Sequence, residues 1–145
     1  MFCRILLLVP LCLAILLTAE TVRSGDKKEQ ARFEGTWSLV KITGGKSKNK
    51  DKEAKLMFKG DKVTFKAGDE TEHGTYSVDP TKKPKELNLH ADKDGKKVTL
   101  KLIYEFDGDT LKLCHFEGKK SMEGRPKQLV ADEESVLVVL KRDKK

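Results

Sequence analysis

The sequence predicts a single all-β domain, an antiparallel up-and-down β-barrel of about eight strands that follows a short N-terminal helix. Three observations predict this fold. Short segments with apolar residues at every second position recur along most of the chain. Turn residues separate these segments at intervals of roughly 8 to 12 residues. Most connections are short, so consecutive strands should pair antiparallel, and closure into a barrel leaves such a meander without exposed edges.

The helix is predicted over Asp26–Glu34, which holds helix-forming residues without Gly or Pro and ends at Gly35. The clearest strand is Val98–Phe106, where apolar and polar residues alternate. The pair Asp107-Gly108 follows, which favours a tight hairpin into Leu111–Phe116. Strands are predicted to begin near Thr36, Leu56, Val63, Thr75, Leu87, Val98, Leu111 and Val136, with a further candidate strand at Lys127–Val130.

The N-terminus has the three parts of a secretory signal peptide. Arg4 precedes the apolar run Ile5–Leu17, and small and polar residues follow the run. This run is shorter than the roughly 20 residues that a membrane-spanning helix needs. We therefore expect residues 1–25 to be a cleaved signal peptide, an uncleaved anchor being the alternative.

Cleavage after Ser24 or Gly25 leaves one barrel domain over residues 26–145, exported to the periplasm, the cell envelope or the exterior. We expect this domain to be a monomer without a stable membrane span. Of the 3 cysteines, Cys114 alone belongs to it, so an internal disulfide is excluded.

The chain is basic, with 30 Lys and Arg against 23 Asp and Glu and a formal net charge of +7. Its lysines usually have acidic neighbours, as in Lys46–Glu53, and its few aromatic residues do not interleave with the basic clusters. The sequence therefore shows no set of aromatic residues on which nucleic-acid bases could stack. The composition predicts a solvated charged surface and no nucleic-acid partner.

The alternation also predicts which side chains face the barrel interior. The inward set is Val63, Phe65, Tyr76, Val78, Leu87, Leu89, Leu100, Leu102, Tyr104, Leu111, Leu113, Val138 and Leu140. An eight-stranded barrel is wide enough either to be filled by such side chains or to hold one small ligand. For the second case the candidate ligand-binding residues are Tyr76, Leu89, Leu102, Tyr104 and Leu113, with the two tyrosines supplying polar contacts.

Gly35-Thr-Trp37, at the first strand after a short helix, resembles the Gly-x-Trp signature of lipocalin-type (calycin) barrels. The resemblance implies that Trp37 plugs the closed end of the barrel. It also implies that an Arg just past the last strand lies across the indole, and Arg142 stands in the matching place. Gly35, Trp37 and Arg142 are therefore the candidate barrel-closing residues.

A broader resemblance covers nearly the whole chain after residue 25. The blocks EGTWSLV, FKGDKVTFK, GTYSVDPTKKPKELNL, YEFDGDTLKLC, GRPK and VLVVLKR resemble, in order and spacing, a family of small domains numerous in planctomycete bacteria. The resemblance implies an exported or membrane-associated, lipocalin-like domain. It brings no established catalytic residues. One departure is Leu129, where the family often carries Phe.

Residue types that carry chemistry are present but lack the spacing of a catalytic or metal site. His73, His90 and His115 fall on different strands without metal-ligand spacing. Cys114 precedes His115, but neighbours on a strand point to opposite faces and form no nucleophile–base pair. Arg125, before a proline in a long connection, favours a positioned turn or an ion pair over a site at the rim. We predict no metal, no cofactor and no enzyme activity.

Two functional hypotheses follow. The first is a non-enzymatic exported barrel that binds a small apolar or amphipathic molecule in its open end. The alternative is a structural or interaction module whose barrel is packed solid and whose lysine-rich rim binds an acidic polymer or protein at the cell envelope. An enzyme is the least supported reading, because no triad, metal cluster or close carboxylate pair can be located.

Overall fold

The computed structural model describes residues 24–46 and 53–145 and has the predicted architecture, a closed antiparallel barrel of eight strands with a short helix before the first. The helix α1 spans Ser24–Phe33. The strands are β1 Gly35–Gly44, β2 Ala54–Lys59, β3 Lys62–Ala67, β4 Glu70–Asp79, β5 Lys85–Lys93, β6 Lys96–Asp107, β7 Thr110–Phe116 and β8 Ser135–Arg142. A single helical turn, α2 Lys120–Glu123, lies in the connection between β7 and β8.

Each strand pairs with its neighbours in the sequence, and β1 closes the barrel by pairing with both β2 and β8. The predicted hairpin of β6 and β7 is present, with Tyr104 opposite Leu113 and Phe106 opposite Leu111. The register places the predicted inward residues on one side of the sheet, so the alternation gave the correct phase. Each strand of the described sheet has a paired neighbour on both sides, so closure leaves no edge strand.

Two predicted elements differ from the structure. Strand β4 begins at Glu70 rather than near Thr75, because its first half pairs with β3 although its residues are mostly polar. The candidate strand at Lys127–Val130 is wrong, since this segment consists of bends. It belongs to a covering segment, residues 118–134, that packs on the outside of the barrel.

The covering segment gives the barrel a second, smaller apolar layer. Ile103 and Cys114 face outward from β6 and β7, yet they are 1% and 0% exposed. Arg125 fixes the segment to the sheet: its guanidinium donates to the backbone oxygen of Leu102 at 2.9 Å and to the side-chain oxygen of Asn88 at 3.0 Å. It also lies 3.5 Å from the Glu86 carboxylate. Arg125 therefore serves as a positioned ion pair, away from the cavity.

Burial makes Cys114 chemically inert in the folded protein. Its side chain lies under the covering segment, and burial raises the pKa of its thiol, which keeps the reactive thiolate scarce. In a chain with Cys3 and Cys12 replaced by serine, we expect no reaction of Cys114 with a disulfide reagent until urea unfolds the protein. Lys66→Cys, on the exposed outer face of β3, is the matched control and should react at once. Rapid labelling of Cys114 in the native protein would show that the covering segment is detached.

Among the described residues, no helix is long and apolar enough to cross a bilayer. The predicted signal peptide falls mostly on residues 1–23, which lie outside the described part of the chain. The predicted cleavage points, Ser24 and Gly25, are the first two residues of α1.

Candidate functional site

Helix α1 closes one end of the barrel. Phe33, at its last position, is 0% exposed and lies among the rings of Phe58, Tyr76, Tyr104 and Phe106, with centroid distances of 4.7 to 5.7 Å. Tilted and edge-on contacts at such distances add to the hydrophobic gain of burying the rings. These five rings and the indole of Trp37 form one packed cluster, called the aromatic layer below. It fills the barrel at this end.

Trp37 and Arg142 fasten the end of α1 to the barrel. The last carbonyl groups of a helix have no partner within the helix. Trp37 Nε1 donates to the carbonyl of Phe33 at 2.8 Å, and the Arg142 guanidinium donates to the carbonyls of Arg32 and Glu34. The guanidinium carbon of Arg142 lies 4.2 Å from the centroid of the Trp37 ring, a cation–π contact.

Gly35 permits this arrangement, because its φ of +119° is one that residues with a side chain rarely adopt. A Cβ there would also lie 3.1 Å from Arg142 Nη1. The structure thus brings the three predicted barrel-closing residues together at one end of the barrel.

A buried carboxylate, Glu29, also holds α1 to the barrel. Glu29 is 8% exposed and accepts hydrogen bonds from Lys85 Nζ at 2.9 Å and from the Tyr104 hydroxyl at 3.0 Å. Burial by itself would raise the pKa of Glu29, but the hydrogen bonds from Lys85 and Tyr104 and the charges of Lys85 and Arg32 leave it below its ordinary value. Burial and the Glu29 charge raise the pKa of Tyr104, so its hydroxyl stays a donor.

The Glu29 contacts predict a pH-dependent contribution to stability. Because the folded-state pKa lies below the ordinary 4.5, the contribution is present above about pH 4.5 and is lost as the pH falls through the folded-state value. Glu29→Gln should lower the free energy of unfolding by about 1 kcal/mol at pH 7, since Lys85 is partly exposed and solvent screens its charge. The variant should also lose part of the decline in stability between pH 5 and pH 3.

Urea unfolding at a series of pH values measures both effects. Glu133→Gln, which removes an exposed carboxylate from the covering segment, is the control and should follow the unmodified protein. Parallel pH profiles for the Glu29→Gln variant and the unmodified protein would contradict this account of α1.

Beyond the aromatic layer the barrel is hollow. A cavity of about 720 Å³ occupies this half of the interior, and all eight strands contribute to its wall. The wall is mainly aliphatic and includes Leu39, Leu89, Leu100, Leu102, Leu113 and Val138. Ligand sites commonly have volumes of about 300 to 1,000 Å³ and apolar walls. The dimensions and the lining are those of a site for one small molecule.

The exposure of inward side chains changes along single strands, which is independent support for an open interior. On β5, Leu87 is 0% exposed against the aromatic layer, whereas Leu89, two residues further on the same face, is only partly buried. On β3, Val63 is 7% exposed and Phe65 is 37% exposed. A barrel packed solid, as the alternative hypothesis requires, would bury all four. The other part of that hypothesis, the binding of an acidic polymer or protein, stays a prediction.

The five predicted ligand-binding residues fall into two groups. Leu89, Leu102 and Leu113 lie on the cavity wall. Tyr76 and Tyr104 lie in the aromatic layer instead, and α1 uses their hydroxyls: Tyr104 donates to Glu29, and Tyr76 donates to the carbonyl of Gln30 at 3.5 Å. The structure therefore does not bring the two tyrosines to the cavity, because their hydroxyls are bonded to α1 at the closed end.

Among the described residues, the cavity opens at the end opposite α1, at a mouth defined here by Glu70, Glu72, Lys93 and Glu117, which lie at or next to the ends of β4, β5 and β7. Three of these four side chains are carboxylates. Glu117 accepts a hydrogen bond from the backbone N–H of Lys46 at 2.7 Å. The polar groups thus stand at one side of the opening, while the wall behind them is mainly apolar.

The three histidines lie on both faces of the sheet. His73 and His90 face outward and contact hydroxyl side chains, His73 with Thr64 at 3.1 Å. His115 faces inward and lines the cavity, on the face opposite Cys114, as the alternation predicts. In residues 24–46 and 53–145, no cluster of three or more His, Cys, Asp or Glu side chains is placed to hold a metal ion.

Sequence reasoning missed the mouth and the role of the helix. Glu70 and Glu72 lie where the predicted β4 had not yet begun, and their alternation with Thr71 and His73 gives no hydrophobic signal. His115 follows Leu111 and Leu113 at the same period, so its inward position was readable from the hairpin. Phe33 carried no such signal, because its ring contacts come from distant strands.

Comparisons of the chain with protein-family models, with curated proteins and with solved structures found no match. The resemblance to lipocalin-type barrels and to the planctomycete domains accordingly stays a prediction. What this chain has in its own right is the closed barrel, the aromatic layer at one end and the apolar cavity at the other.

Proposed function

We propose that this protein is a non-enzymatic, exported barrel that binds one small apolar or amphipathic molecule in the hollow half of its interior. The observation that carries the proposal is the cavity of about 720 Å³, walled by aliphatic side chains and open at one end. Filling such a space removes apolar surface from water at roughly 25 cal/mol per Å². This gain supports ligand binding as the role of the interior.

The groups around the cavity favour binding over catalysis. Among its described lining residues there is no Ser, Thr, Cys, Asp or Tyr. The described part of the lining therefore lacks the usual hydroxyl and thiol nucleophiles. The inward-facing carboxylates and Lys93 stand at the opening, where they can contact a head group, and His115 stands on the wall two residues before Glu117. Export rests on the predicted signal peptide at residues 1–25 and on the resemblance to exported domains.

A fluorescence titration tests the proposal. The neutral apolar dye N-phenyl-1-naphthylamine brightens when it leaves water, and Trp37, the single tryptophan of the chain, can transfer excitation energy to a dye bound above it. We expect saturable binding of one dye per chain, energy transfer from Trp37, and displacement of the dye by amphiphiles with a linear apolar chain. If a panel of neutral, cationic and anionic lipophilic dyes shows no saturable binding, the proposal is wrong.

A further inference from the structure

His115 is a polar side chain on the otherwise mainly aliphatic cavity wall. It follows Leu113 on the inward face of β7 and precedes Glu117 at the mouth. Its ring lies partly buried beside Val136, its pairing partner on β8. A ligand whose apolar part contacts Leu113 therefore brings its head group to the level of the imidazole.

A backbone contact determines which ring nitrogen of His115 is left without a protein partner among the described hydrogen bonds. His115 Nδ1 lies 2.7 Å from the carbonyl oxygen of Phe116. A carbonyl oxygen can only accept, so Nδ1 carries the proton and donates it. In a neutral imidazole the other nitrogen is then an acceptor. Nε2 of His115 is thus a hydrogen-bond acceptor on an otherwise aliphatic wall.

The mouth also presents mainly hydrogen-bond acceptors. Glu70, Glu72 and Glu117 carry carboxylates, which accept hydrogen bonds and repel anions, while Lys93 supplies the one ammonium group among the described lining residues whose side chain faces inward. A head group that donates hydrogen bonds, whether neutral or cationic, finds several acceptors here. Among these described groups, a carboxylate head group finds mostly like charge.

We propose that the cavity selects amphiphiles whose head group donates hydrogen bonds, namely long-chain alcohols and amines, over fatty acids of the same length, and that His115 Nε2 accepts the bond from that head group. This inference rests on the proposed function, because it names the class of ligand for the same cavity. It makes His115 a specificity-determining residue, distinct from the aliphatic residues that supply the apolar contacts.

Displacement of N-phenyl-1-naphthylamine by 1-decanol, decylamine and decanoic acid at about pH 8 tests the inference. In the unmodified protein the alcohol and the amine should bind more tightly than the acid. His115→Leu should weaken the alcohol and the amine by about fivefold, the value of one hydrogen bond, and leave the acid unchanged. His115→Gln, which keeps an acceptor, should retain most of the affinity.

His73→Leu makes the same change on the outer face of β4 and should leave all three affinities unchanged. Equal affinities for the three amphiphiles, or tightest binding of decanoic acid, would overturn the inference while the proposed function stands. The ranking in the unmodified protein decides the matter even if His115→Leu fails to fold. Absence of dye binding to the unmodified protein would overturn the proposed function and this inference together.

Discussion

Trp37→Ala is expected to lower the free energy of unfolding by about 3 to 5 kcal/mol. The indole is 0% exposed in the aromatic layer, so truncation removes its packing against Phe106, at a centroid distance of 5.8 Å, and leaves a cavity. It also leaves the carbonyl of Phe33 without its donor and Arg142 without its ring. Because domains are stable by only about 5 to 15 kcal/mol, this is a large part of the total.

Urea unfolding followed by far-ultraviolet circular dichroism measures this loss without relying on tryptophan emission. Trp37→Phe, the matched variant, keeps a ring in the layer but removes the Nε1 donor, and should cost clearly less. Val40→Ala provides a surface control on the same strand, because Val40 is 62% exposed at a bulge of β1. A loss below about 1 kcal/mol for Trp37→Ala would mean that the indole does not hold the helix against the barrel.

Leu89→Trp is expected to weaken the affinity for the dye by at least about tenfold without lowering the free energy of unfolding. Leu89 packs against the core on one side and lines the cavity on the other, so its enlarged side chain has empty space to enter. Leu87→Trp is the matched change, on the same strand and face but against the aromatic layer, where Leu87 is 0% exposed. Overpacking there should cost about 1 to 3 kcal/mol.

The contrast between the two variants follows from a barrel that is filled at one end and hollow at the other. Dye titration and urea unfolding of both proteins provide the readings. Equal destabilisation by the two substitutions would indicate a uniformly packed interior, and undiminished dye binding by Leu89→Trp would place the dye outside the cavity.

The barrel itself was predictable from the sequence, because the patterns that specify its strands and turns lie within short segments of the chain. The alternation from Val98 to Phe106 and the turn at Asp107-Gly108 specify a hairpin whose two strands need no distant partner to be recognised. Short connections then imply neighbouring antiparallel strands, and closure removes the edges that such a sheet would expose. The structure confirms each of these steps.

Features that depend on contacts between distant segments were not predictable in this way. Alternation shows that Tyr104 faces inward, but not that Glu29, 75 positions away, accepts its hydroxyl and makes it part of the closed end. The start of β4 was missed because Glu70 and Glu72 face a cavity mouth, where no apolar residue is required. Ile103 is an exception among these features, because the sequence does show an apolar residue at an outward position. Such a residue indicates that another segment, here the covering segment, packs over it.

Diffraction from crystals of the protein pressurised with xenon tests the central claim most directly, because xenon occupies apolar cavities that side chains leave empty. The account predicts xenon density between Leu89, Leu100 and Val138, and none within the aromatic layer around Phe33. Side chains that meet across the barrel axis at the level of Leu89, with no xenon between them, would contradict it.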